Sequence, residues 1–281
     1  MSRVDGLVAI VTGAGGGIGS RTAEMLATRG ATVVVADLAQ DAGERTVEAI
    51  RAAGGRAHFK YLDVREPESF NSVVADALKC YGRIDILHNN AAATHLYAGD
   101  TAAADIDPAQ WDRIFEINLR GVLLGCKYVV PKMIEQGGGS IINMSSTRAG
   151  GGANELAAYG ASKAGVEALT RYVATAYGRH GVRCNAVRPG LIQTAQSAAL
   201  LNHGDGTDDG YSRVLRHVLL PYAGSPADIA ELVCFLGSAA SRYITAQTIA
   251  VDGGLLAHQP FHADELSVRG KTDESWAQRS G

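Results

Sequence analysis

Short apolar runs alternate with longer segments of helical periodicity from the start of the chain to about residue 254. Most of the runs are apolar on both faces, which is typical of parallel strands that are covered by helices on either side. Between the first two runs, Ile18, Thr22, Met25 and Leu26 follow the spacing of one helix face, and Gly30 supplies a stop signal. The segments predicted to be strands are LVAIVTG, ATVVVAD, AHFKYLD, IDILHNN, SIINMSS, VRCNAVRPG and QTIAVDGG.

This alternation predicts an α/β fold: a single-domain, Rossmann-like, doubly wound fold with a seven-stranded parallel sheet flanked by helices. The dinucleotide-binding and catalytic domain is predicted to span residues 1–254. Two segments break the alternation. Residues 195–222, rich in Ala, Gly and Asp, are predicted to be a substrate lid, and residues 255–281 form a C-terminal extension that either covers a neighbouring subunit's pocket or is a frayed end.

A long helix is predicted after the fourth strand. Asp107 and Pro108 suit an N-cap and a first-turn proline, and Gln110 suits the partner position of a capping box. The helical pattern runs towards Gly137 and contains Pro131, whose ring and missing N–H disturb a helix interior. A kink near Pro131 is therefore expected.

Composition and charge narrow the class of protein. The 281 residues are 46% hydrophobic and 20% charged, with a formal net charge of −3. A chain of this length can bury a sizeable core, and it has no basic surplus for binding a phosphate backbone, so we expect no nucleic-acid partner. The cysteines form no CxxC pair and are predicted to be buried core residues rather than zinc ligands or disulfides; they are Cys80, Cys126, Cys184 and Cys234.

The N-terminal segment does not resemble a targeting signal. Its apolar run covers only Leu7 to Val11, which is shorter than a signal-peptide core. No later stretch reaches the roughly 18 consecutive apolar residues of a membrane span. The sequence therefore predicts a cytoplasmic protein that does not associate with membranes.

A glycine-rich turn joins the first strand to the first helix. Gly13, Gly17 and Gly19 in TGAGGGIG have the spacing TGxxxGxG. Glycines there allow the backbone to turn sharply and approach a pyrophosphate, while the following helix N-terminus offers N–H groups and a partial positive charge. A glycine cluster alone is also compatible with an ordinary tight turn. The strand before it and the helix after it favour a dinucleotide site.

Asp37 ends the second strand, 18 residues after Gly19. A carboxylate there can accept hydrogen bonds from the adenosine ribose hydroxyls. It would repel a 2′-phosphate by about 4 kcal/mol for each close like-charge pair before screening. Gly15, Gly16 and Leu38 provide no arginine or lysine to compensate. NAD is therefore predicted over NADP, and the alternative is that Asp37 is a solvated strand-end residue.

The stretch YGASK places a tyrosine and a lysine one helical turn apart. A helix is predicted over Ala157–Tyr177, so Tyr159 and Lys163 lie on one face, with Tyr159 in the first turn. A nearby ammonium and the positive end of a helix both favour the phenolate form of a tyrosine, which is then a better base near neutral pH. A YxxxK pair alone also fits an ordinary helix surface. Ser146 favours a catalytic role for the pair over an ordinary helix surface. It lies 13 residues before Tyr159 at a strand end, where its hydroxyl can form a hydrogen bond to a substrate oxygen.

Together these motifs resemble the short-chain dehydrogenase/reductase family. The resemblance covers roughly residues 5–254 and follows the family's order, which is TGAGGGIG, LDV, NNA, an asparagine in the long fourth helix, a serine 13 residues before YGASK, RPG and VDGG. Each motif is weak alone, and the set is specific. The resemblance implies a nicotinamide cofactor and a homotetramer. No His or Cys cluster suggests a metal site.

The family's catalytic roles map onto four residues of this chain. Tyr159 is implied to be the general acid and base, and Ser146 to orient and polarise the reacting oxygen. Lys163 is implied to favour the phenolate of Tyr159 and to bind the nicotinamide ribose. Asn118 is implied to hold a water that links Lys163 to solvent.

The resemblance also implies a set of cofactor contacts. The implied contacts are Asp63 and Val64 at adenine, Asn90 and Ala91 at the adenosine ribose, and Ile192 and Thr194 at the nicotinamide carboxamide. The full predicted set is Gly13, Gly17, Ile18, Gly19, Asp37, Leu38, Asp63, Val64, Asn90, Ala91, Tyr159, Lys163, Pro189, Gly190, Ile192 and Thr194.

Some residues depart from the family's pattern or have no assigned role. Ala92 replaces the usual glycine after NNA. Arg148 stands two residues after Ser146, where a small apolar residue is usual, and it either faces a polar or carboxylate-bearing substrate or forms a salt bridge at the pocket rim. Seven further residues either line the substrate pocket or are surface residues without a functional role. They are His95, Leu96, Tyr97, Asn154, Glu155, His203 and His217.

The sequence therefore predicts an NAD-dependent alcohol dehydrogenase or ketone reductase acting on CH–OH groups. Oxidation of a secondary alcohol or diol is the expected direction, and the alanines and leucines of 195–222 favour a small cyclic or aliphatic substrate. An enoyl reductase is disfavoured because its tyrosine and lysine would stand further apart, and an extended epimerase because it would usually be longer. The alternative from another class is a non-catalytic NAD-binding sensor or scaffold.

Overall fold

The seven predicted strands form one parallel sheet. The computed structural model describes residues 3–195, 197–198, 210–259 and 261. The strands are β1 (Val8–Thr12), β2 (Thr32–Asp37), β3 (Arg56–Tyr61), β4 (Ile86–Asn89), β5 (Gly139–Met144), β6 (Val182–Pro189) and β7 (Thr248–Val251). Their order across the sheet is β3-β2-β1-β4-β5-β6-β7, which confirms the predicted fold.

Helices cover both faces of this sheet. The helices are α1 (Gly17–Thr28), α2 (Gln40–Ala52), α3 (Pro67–Tyr81), α4 (Pro108–Phe115), α5 (Gly121–Glu135), α6 (Ala157–Tyr177), α7 (Gly210–Leu215) and α8 (Pro226–Gly237). Side chains along a strand point alternately to the two faces of the sheet. Val11 and Val33 therefore pack in one core with α1, α2 and α8, whereas Ile10 and Val34 pack in a second core with α3, α5 and α6. Two short 3₁₀ turns also bear on the site, Thr94–Gly99 and Thr147–Ala149.

The strand order reverses at β1. This strand pairs with β2 on one side and with β4 on the other, and all of these pairings are parallel. The connections after β1 and β4 therefore diverge to opposite faces of the sheet and leave a crevice beyond their carboxyl ends. Every site predicted from the glycine turn and from NNA lies at this crevice.

The long helical stretch after β4 differs from the prediction in two details. It is interrupted at Glu116–Arg120 by a turn of π-helix, which was not predicted. The helix α5 continues through Pro131, and the kink near Pro131 stays a prediction. Asp107 is the N-cap of α4, as predicted, and its side chain accepts a hydrogen bond from the N–H of Ala109. Gln110 does not complete a capping box, because its amide nitrogen donates to the carbonyl of Leu96 at 2.8 Å.

The cysteine prediction is wrong at one position. Cys126, Cys184 and Cys234 are buried, but Cys80 near the end of α3 is exposed. Within the described residues no helix is long and apolar enough to cross a membrane, and no group of three metal-binding side chains forms a site. Positions 196 and 199–209 of the predicted lid, with His203 among them, and positions 260 and 262–281 of the extension lie outside the described residues.

Candidate active site

The glycine turn, residues 13–19, leads from β1 into α1 with no room for side chains at two positions. Gly13 has a φ of +64°, and a Cβ there would lie 2.8 Å from the Cα of Ala91. A Cβ at Gly19 would overlap the carbonyl oxygen of Gly13. Gly17 also has a positive φ, of 56°. The glycines are therefore required for the tight packing of this turn.

Thr12 and Asn90 fasten the glycine turn to the end of β4. The side-chain nitrogen of Asn90 donates to the carbonyls of Thr12 and Gly13 at 3.1 and 3.0 Å. The Thr12 hydroxyl accepts from the backbone N–H groups of Asn90 and Ala91 at 3.0 and 3.1 Å. The predicted cofactor residues Asn90 and Ala91 thus also brace the turn, and Thr12 is a bracing residue that the sequence reasoning missed.

The start of α1 fits a phosphate group. Its N-cap is Gly16, which has no side chain to cap the helix, and no acidic residue lies in the first turn. The uncapped N–H groups and the positive end of the helix dipole are therefore left for an anion. Ile18 points the other way and packs against the core beside α1. The cradle therefore suits the pyrophosphate of a dinucleotide.

Asp37 lies beside the glycine turn at the end of β2. One carboxylate oxygen accepts from the N–H of Gly15 at 2.7 Å and the other from the N–H of Ala39 at 2.8 Å. These bonds fix the carboxylate at the rim of the crevice, while the side chain of Leu38 is exposed next to it. A carboxylate oxygen has lone pairs beyond those used here, so Asp37 can still accept from ribose hydroxyls.

Asp63 and Val64, predicted to lie beside adenine, follow β3. The carboxylate of Asp63 is held by the guanidinium of Arg65 through bonds of 2.9 and 2.6 Å, and this partner lowers the pKa of Asp63. Val64 packs against α5, where a Cβ at Gly121 would lie 3.1 Å from it. The Asp63 carboxylate therefore has a partner within the protein, and its contact with adenine stays a prediction.

The segment predicted to meet the nicotinamide follows β6. Pro189 ends the strand, and Gly190, Ile192 and Thr194 follow at the carboxyl end of the sheet. Ile192 is buried in the core on the α1 side. The N–H of Thr194 donates to the hydroxyl of Ser197 at 2.9 Å, which shapes the backbone there. The segment thus reaches the same end of the sheet as the glycine turn.

Tyr159 and Lys163 occupy the first turns of α6, as predicted. Lys163 is only 2% exposed, and its Nζ donates to the carbonyl of Met144 at 2.9 Å. Burial lowers the pKa of Lys163 to about 8. The Nζ lies 5.7 Å from the ring centroid of Tyr159, so a buried amine faces the tyrosine from one side.

Ser146 follows the end of β5 and begins the turn Thr147–Ala149. Its Oγ accepts from the N–H of Arg148 at 3.2 Å, which does not use the hydroxyl hydrogen. A Cβ at Gly160 would lie 3.1 Å from the carbonyl oxygen of Arg148, so this turn packs directly on the first turn of α6. Ser146 and Tyr159 are therefore brought to one end of the sheet.

Asn118 lies in the π-helical turn and is fully buried. Its Oδ1 accepts from the N–H of Ala93 at 2.8 Å, and its Nδ2 donates to the hydroxyl of Ser162 at 3.0 Å. Ser162 in turn donates to the carbonyl of Tyr159 at 2.7 Å. Asn118 thus joins the loop after β4 to α6. We refer to the four residues predicted to act in catalysis, Asn118, Ser146, Tyr159 and Lys163, as the catalytic cluster.

Comparison with known proteins gives the family. A family model described as enoyl-(acyl carrier protein) reductase matches residues 13–256. A probable short-chain type dehydrogenase/reductase from Bradyrhizobium diazoefficiens is 42% identical, over 94% of this chain and 92% of its own. A 7alpha-hydroxysteroid dehydrogenase from Bacteroides fragilis is 37% identical, over 92% of this chain and 98% of its own. The chain belongs to the short-chain dehydrogenase/reductase family.

A solved structure supports the same assignment for the fold. The structure of a 7 alpha-hydroxysteroid dehydrogenase complexed with NADH and 7-oxo glycochenodeoxycholic acid matches with a TM-score of 0.83 and 32% identity, covering 90% of this chain and 95% of that one. This short-chain dehydrogenase/reductase therefore has the fold that its motifs implied, and it is an oxidoreductase of a family that uses a nicotinamide cofactor.

Two side chains near Tyr159 complete the site of this short-chain dehydrogenase/reductase. The ring of Tyr97 meets the ring of Tyr159 edge-on, with centroids 4.9 Å apart and an interplanar angle of 73°. Burial and the neighbouring Tyr159 raise the pKa of Tyr97. Asp100 accepts hydrogen bonds from the backbone of α6. Sequence reasoning named Tyr97 as a candidate and missed Asp100, which carries no motif.

A partly buried ion pair lies next to the catalytic cluster. Arg188 on β6 donates to both carboxylate oxygens of Glu167 on α6, at 2.8 and 2.6 Å. The hydroxyl of Ser145 donates to the same carboxylate at 2.6 Å. This pair, which the sequence reasoning also missed, fixes the end of β5 and β6 against α6 next to Ser146.

Two of the remaining candidates, Arg148 and Glu155, line a cavity of about 170 Å³ beside the start of α6. Within the described part of the chain Arg148 forms no ion pair. His95 and Asn154 are exposed. Leu96 packs in a small third core with Ile114 and Ala158, so it belongs to the wall behind the site.

Proposed function

We propose that this protein is an NAD-dependent oxidoreductase that transfers a hydride between a secondary alcohol or diol and the nicotinamide, the reverse being ketone reduction. One observation carries the proposal: the buried amine of Lys163 stands 5.7 Å from the ring of Tyr159. An ammonium beside a tyrosine stabilises the phenolate that alcohol oxidation needs.

The chemistry follows from what each side chain can donate or accept. The nicotinamide, when bound, supplies the hydride acceptor. In alcohol oxidation the phenolate oxygen of Tyr159 accepts the hydroxyl proton as the carbon–hydrogen electron pair leaves and the C–O bond becomes a carbonyl. Ser146 donates its hydroxyl hydrogen to the substrate oxygen and stabilises the charge that develops there. The bond from Lys163 to Met144 uses one of the three ammonium hydrogens, so the others serve Tyr159 and the nicotinamide ribose.

Asp37 supports the preference for NAD. Its carboxylate is held at the rim by hydrogen bonds from the N–H groups of Gly15 and Ala39. Like charges about 4 Å apart repel by about 4 kcal/mol at an intermediate dielectric, and water and salt at the exposed rim screen much of this repulsion. A ribose hydroxyl, by contrast, can donate to it.

Relatives support a secondary alcohol as the substrate class. The Bacteroides fragilis relative is a 7alpha-hydroxysteroid dehydrogenase. Its name describes an enzyme that oxidises a hydroxyl group on a steroid. The small residues Gly160 and Ala161 line the cavity at the start of α6 and are compatible with a cyclic substrate. A small cyclic or aliphatic alcohol remains our proposal for this chain.

Assembly as a cytoplasmic homotetramer is part of the proposal. The resemblance to the family carries this part of the proposal. The two long helices α5 and α6 carry exposed apolar side chains that subunit contacts could cover, among them Leu123 and Tyr172, which are 48% and 77% exposed. Light scattering of the purified chain tests the expected mass of four subunits.

Turnover with the two dinucleotides tests the function. A panel of secondary alcohols is offered with NAD and with NADP, and formation of the reduced nicotinamide is followed by absorbance. We expect turnover with NAD to exceed turnover with NADP. Tight NAD binding with no turnover on any alcohol would instead identify a sensor or scaffold, and better turnover with NADP would contradict the role given to Asp37.

A further inference from the structure

We propose that Asp100 is a positioning residue for Tyr159, which it holds by capping the first turn of α6 from the segment that follows β4. This inference rests on the proposed function, since it assigns Tyr159 the proton transfer. No sequence motif gives Asp100 a role, and it stands 59 residues before Tyr159.

Three backbone N–H groups at the start of α6 donate hydrogen bonds to Asp100. Asp100 is 2% exposed. Its Oδ1 accepts from the N–H of Ala158 at 2.9 Å and its Oδ2 from the N–H of Tyr159 at 2.8 Å. Its backbone carbonyl accepts from the N–H of Leu156 at 2.8 Å. Charge-assisted bonds of this kind are stronger than neutral ones, so the carboxylate fixes the backbone of Tyr159 directly.

The local sequence cannot provide this cap. The residue before α6 is Leu156, which has no side-chain acceptor and adopts a φ of +63°, a conformation unfavourable for a residue with a Cβ. The first N–H groups of a helix have no partner within the helix. Without Asp100, the N–H groups of Ala158 and Tyr159 would be left unbonded near a largely buried site.

The same segment also touches the ring of Tyr159. The N–H of Asp100 donates to the carbonyl of Tyr97 at 3.0 Å, and the ring of Tyr97 packs edge-on against that of Tyr159. Gln110 on α4 holds the segment from behind by donating to the carbonyl of Leu96 at 2.8 Å. Tyr159 is thus contacted at its backbone N–H and at its ring by one anchored segment, which restricts both its position and its orientation.

Asp100→Asn tests the inference, because the side chain keeps its size but has one acceptor instead of two. Its amide N–H₂ would face an N–H of α6, which opens the first turn. Displacing a reacting group by about 1 Å can cost about 10²-fold in rate. We expect kcat to fall by about 10- to 100-fold, with NAD affinity unchanged and with a larger primary deuterium isotope effect on kcat, since the chemical step becomes slower.

Asp107→Asn is the matched control. Asp107 caps α4 through a bond of 3.0 Å from the N–H of Ala109, but it is exposed and touches no residue of the catalytic cluster. We expect its kcat and isotope effect to stay at wild-type values. If Asp100→Asn behaves like this control, or if it loses NAD binding together with turnover, the positioning role is overturned.

Hydrogen exchange of the wild-type chain separates this inference from the proposed function. First-turn amides normally exchange quickly, but we expect those of Ala158 and Tyr159 to exchange as slowly as the interior of α6. Rapid exchange at both amides overturns the inference even if the enzyme turns over. Slow exchange in a chain that oxidises no alcohol leaves the cap in place and rejects the function instead.

Discussion

The glycine turn and the catalytic cluster lie at the same end of the sheet, but they are built in opposite ways. In the glycine turn, side chains are excluded, since a Cβ at Gly19 would overlap a neighbouring carbonyl oxygen. In the catalytic cluster, by contrast, the side chains of Lys163 and Asn118 are buried and held by hydrogen bonds to Met144 and Ala93. The glycine turn therefore offers backbone groups to a ligand, whereas the catalytic cluster offers side-chain functional groups.

This difference predicts how each region responds to substitution. The glycine turn should be damaged by atoms that are added, because its backbone groups are already in contact. The catalytic cluster should be damaged by atoms that are removed, because each buried polar group has a partner that would lose its bond. Dinucleotide binding and chemistry should therefore be separable by mutation.

The largest effect is expected at Tyr159. Tyr159→Phe removes the group that accepts the proton, and we expect kcat to fall by about 10³-fold or more while NAD affinity is retained. Steady-state kinetics and a binding titration measure the two quantities. Tyr243→Phe is the control, since Tyr243 is fully exposed and lies outside α5 and α6. Equal losses in the two variants would contradict the role of Tyr159.

Lys163 should make stability depend on pH on the alkaline side. Burial lowers the pKa of Lys163 from 10.5 to about 8, so above about pH 8 the native state binds fewer protons than the unfolded chain. The cost of burying the charge is therefore complete below pH 8 and is relieved as the pH rises to about 10.5. We expect the free energy of unfolding of wild type to gain up to about 3 kcal/mol over this range relative to Lys163→Met.

Urea denaturation at the two ends of that range provides the measurement. Lys127→Met serves as the control, because Lys127 on α5 is exposed and its removal should leave the pH dependence unchanged. If Lys163→Met keeps the full alkaline increase of wild type, then Lys163 is not the buried titrating group.

An added methyl group tests the glycine turn. Gly19→Ala places a Cβ on the carbonyl of Gly13, and we expect a loss of about 2 kcal/mol of stability, or roughly 4–8 °C in Tm. In Gly16→Ala the Cβ meets no atom within 4 Å and the backbone is extended, with a φ of −172°. We expect that control to change Tm much less, and equal losses would show that the turn is not packed as described.

The smallest effect concerns the choice of dinucleotide. Asp37→Asn removes the negative charge and keeps one acceptor, so we expect the ratio of kcat/KM for NAD to that for NADP to fall by about tenfold, which is about 1.4 kcal/mol. Asp41→Asn, an exposed acid in the first turn of α2, should leave the ratio as it is. An unchanged ratio in Asp37→Asn would remove the support for NAD selection by this residue.

Much of the site could be predicted because its signals are local in sequence. Strand and helix periods gave the seven parallel strands, and the YxxxK spacing placed Tyr159 and Lys163 on one face of α6. The intervening small residues are also explained, since Gly160 lies against the turn after Ser146 and Ser162 bonds Asn118.

The parts that could not be predicted depend on contacts between distant segments. Asp100 caps α6 from another loop, and Thr12 braces the end of β4, and neither bond leaves a pattern in the sequence. The π-helical turn after α4 was also not predicted, and it contains Asn118, whose side chain bonds Ala93 and Ser162. These two partners lie far from Asn118 in the sequence, so no local pattern indicates the bonds.

Transfer of an isotope label tests the central claim most directly. A secondary alcohol carrying deuterium on its carbinol carbon is incubated with the enzyme and NAD, and the reduced dinucleotide is examined by NMR. We predict one deuterium at C4 of the nicotinamide and an equal amount of ketone product. Reduced dinucleotide without the label, or bound NAD that is never reduced by any alcohol, would contradict hydride transfer at this site.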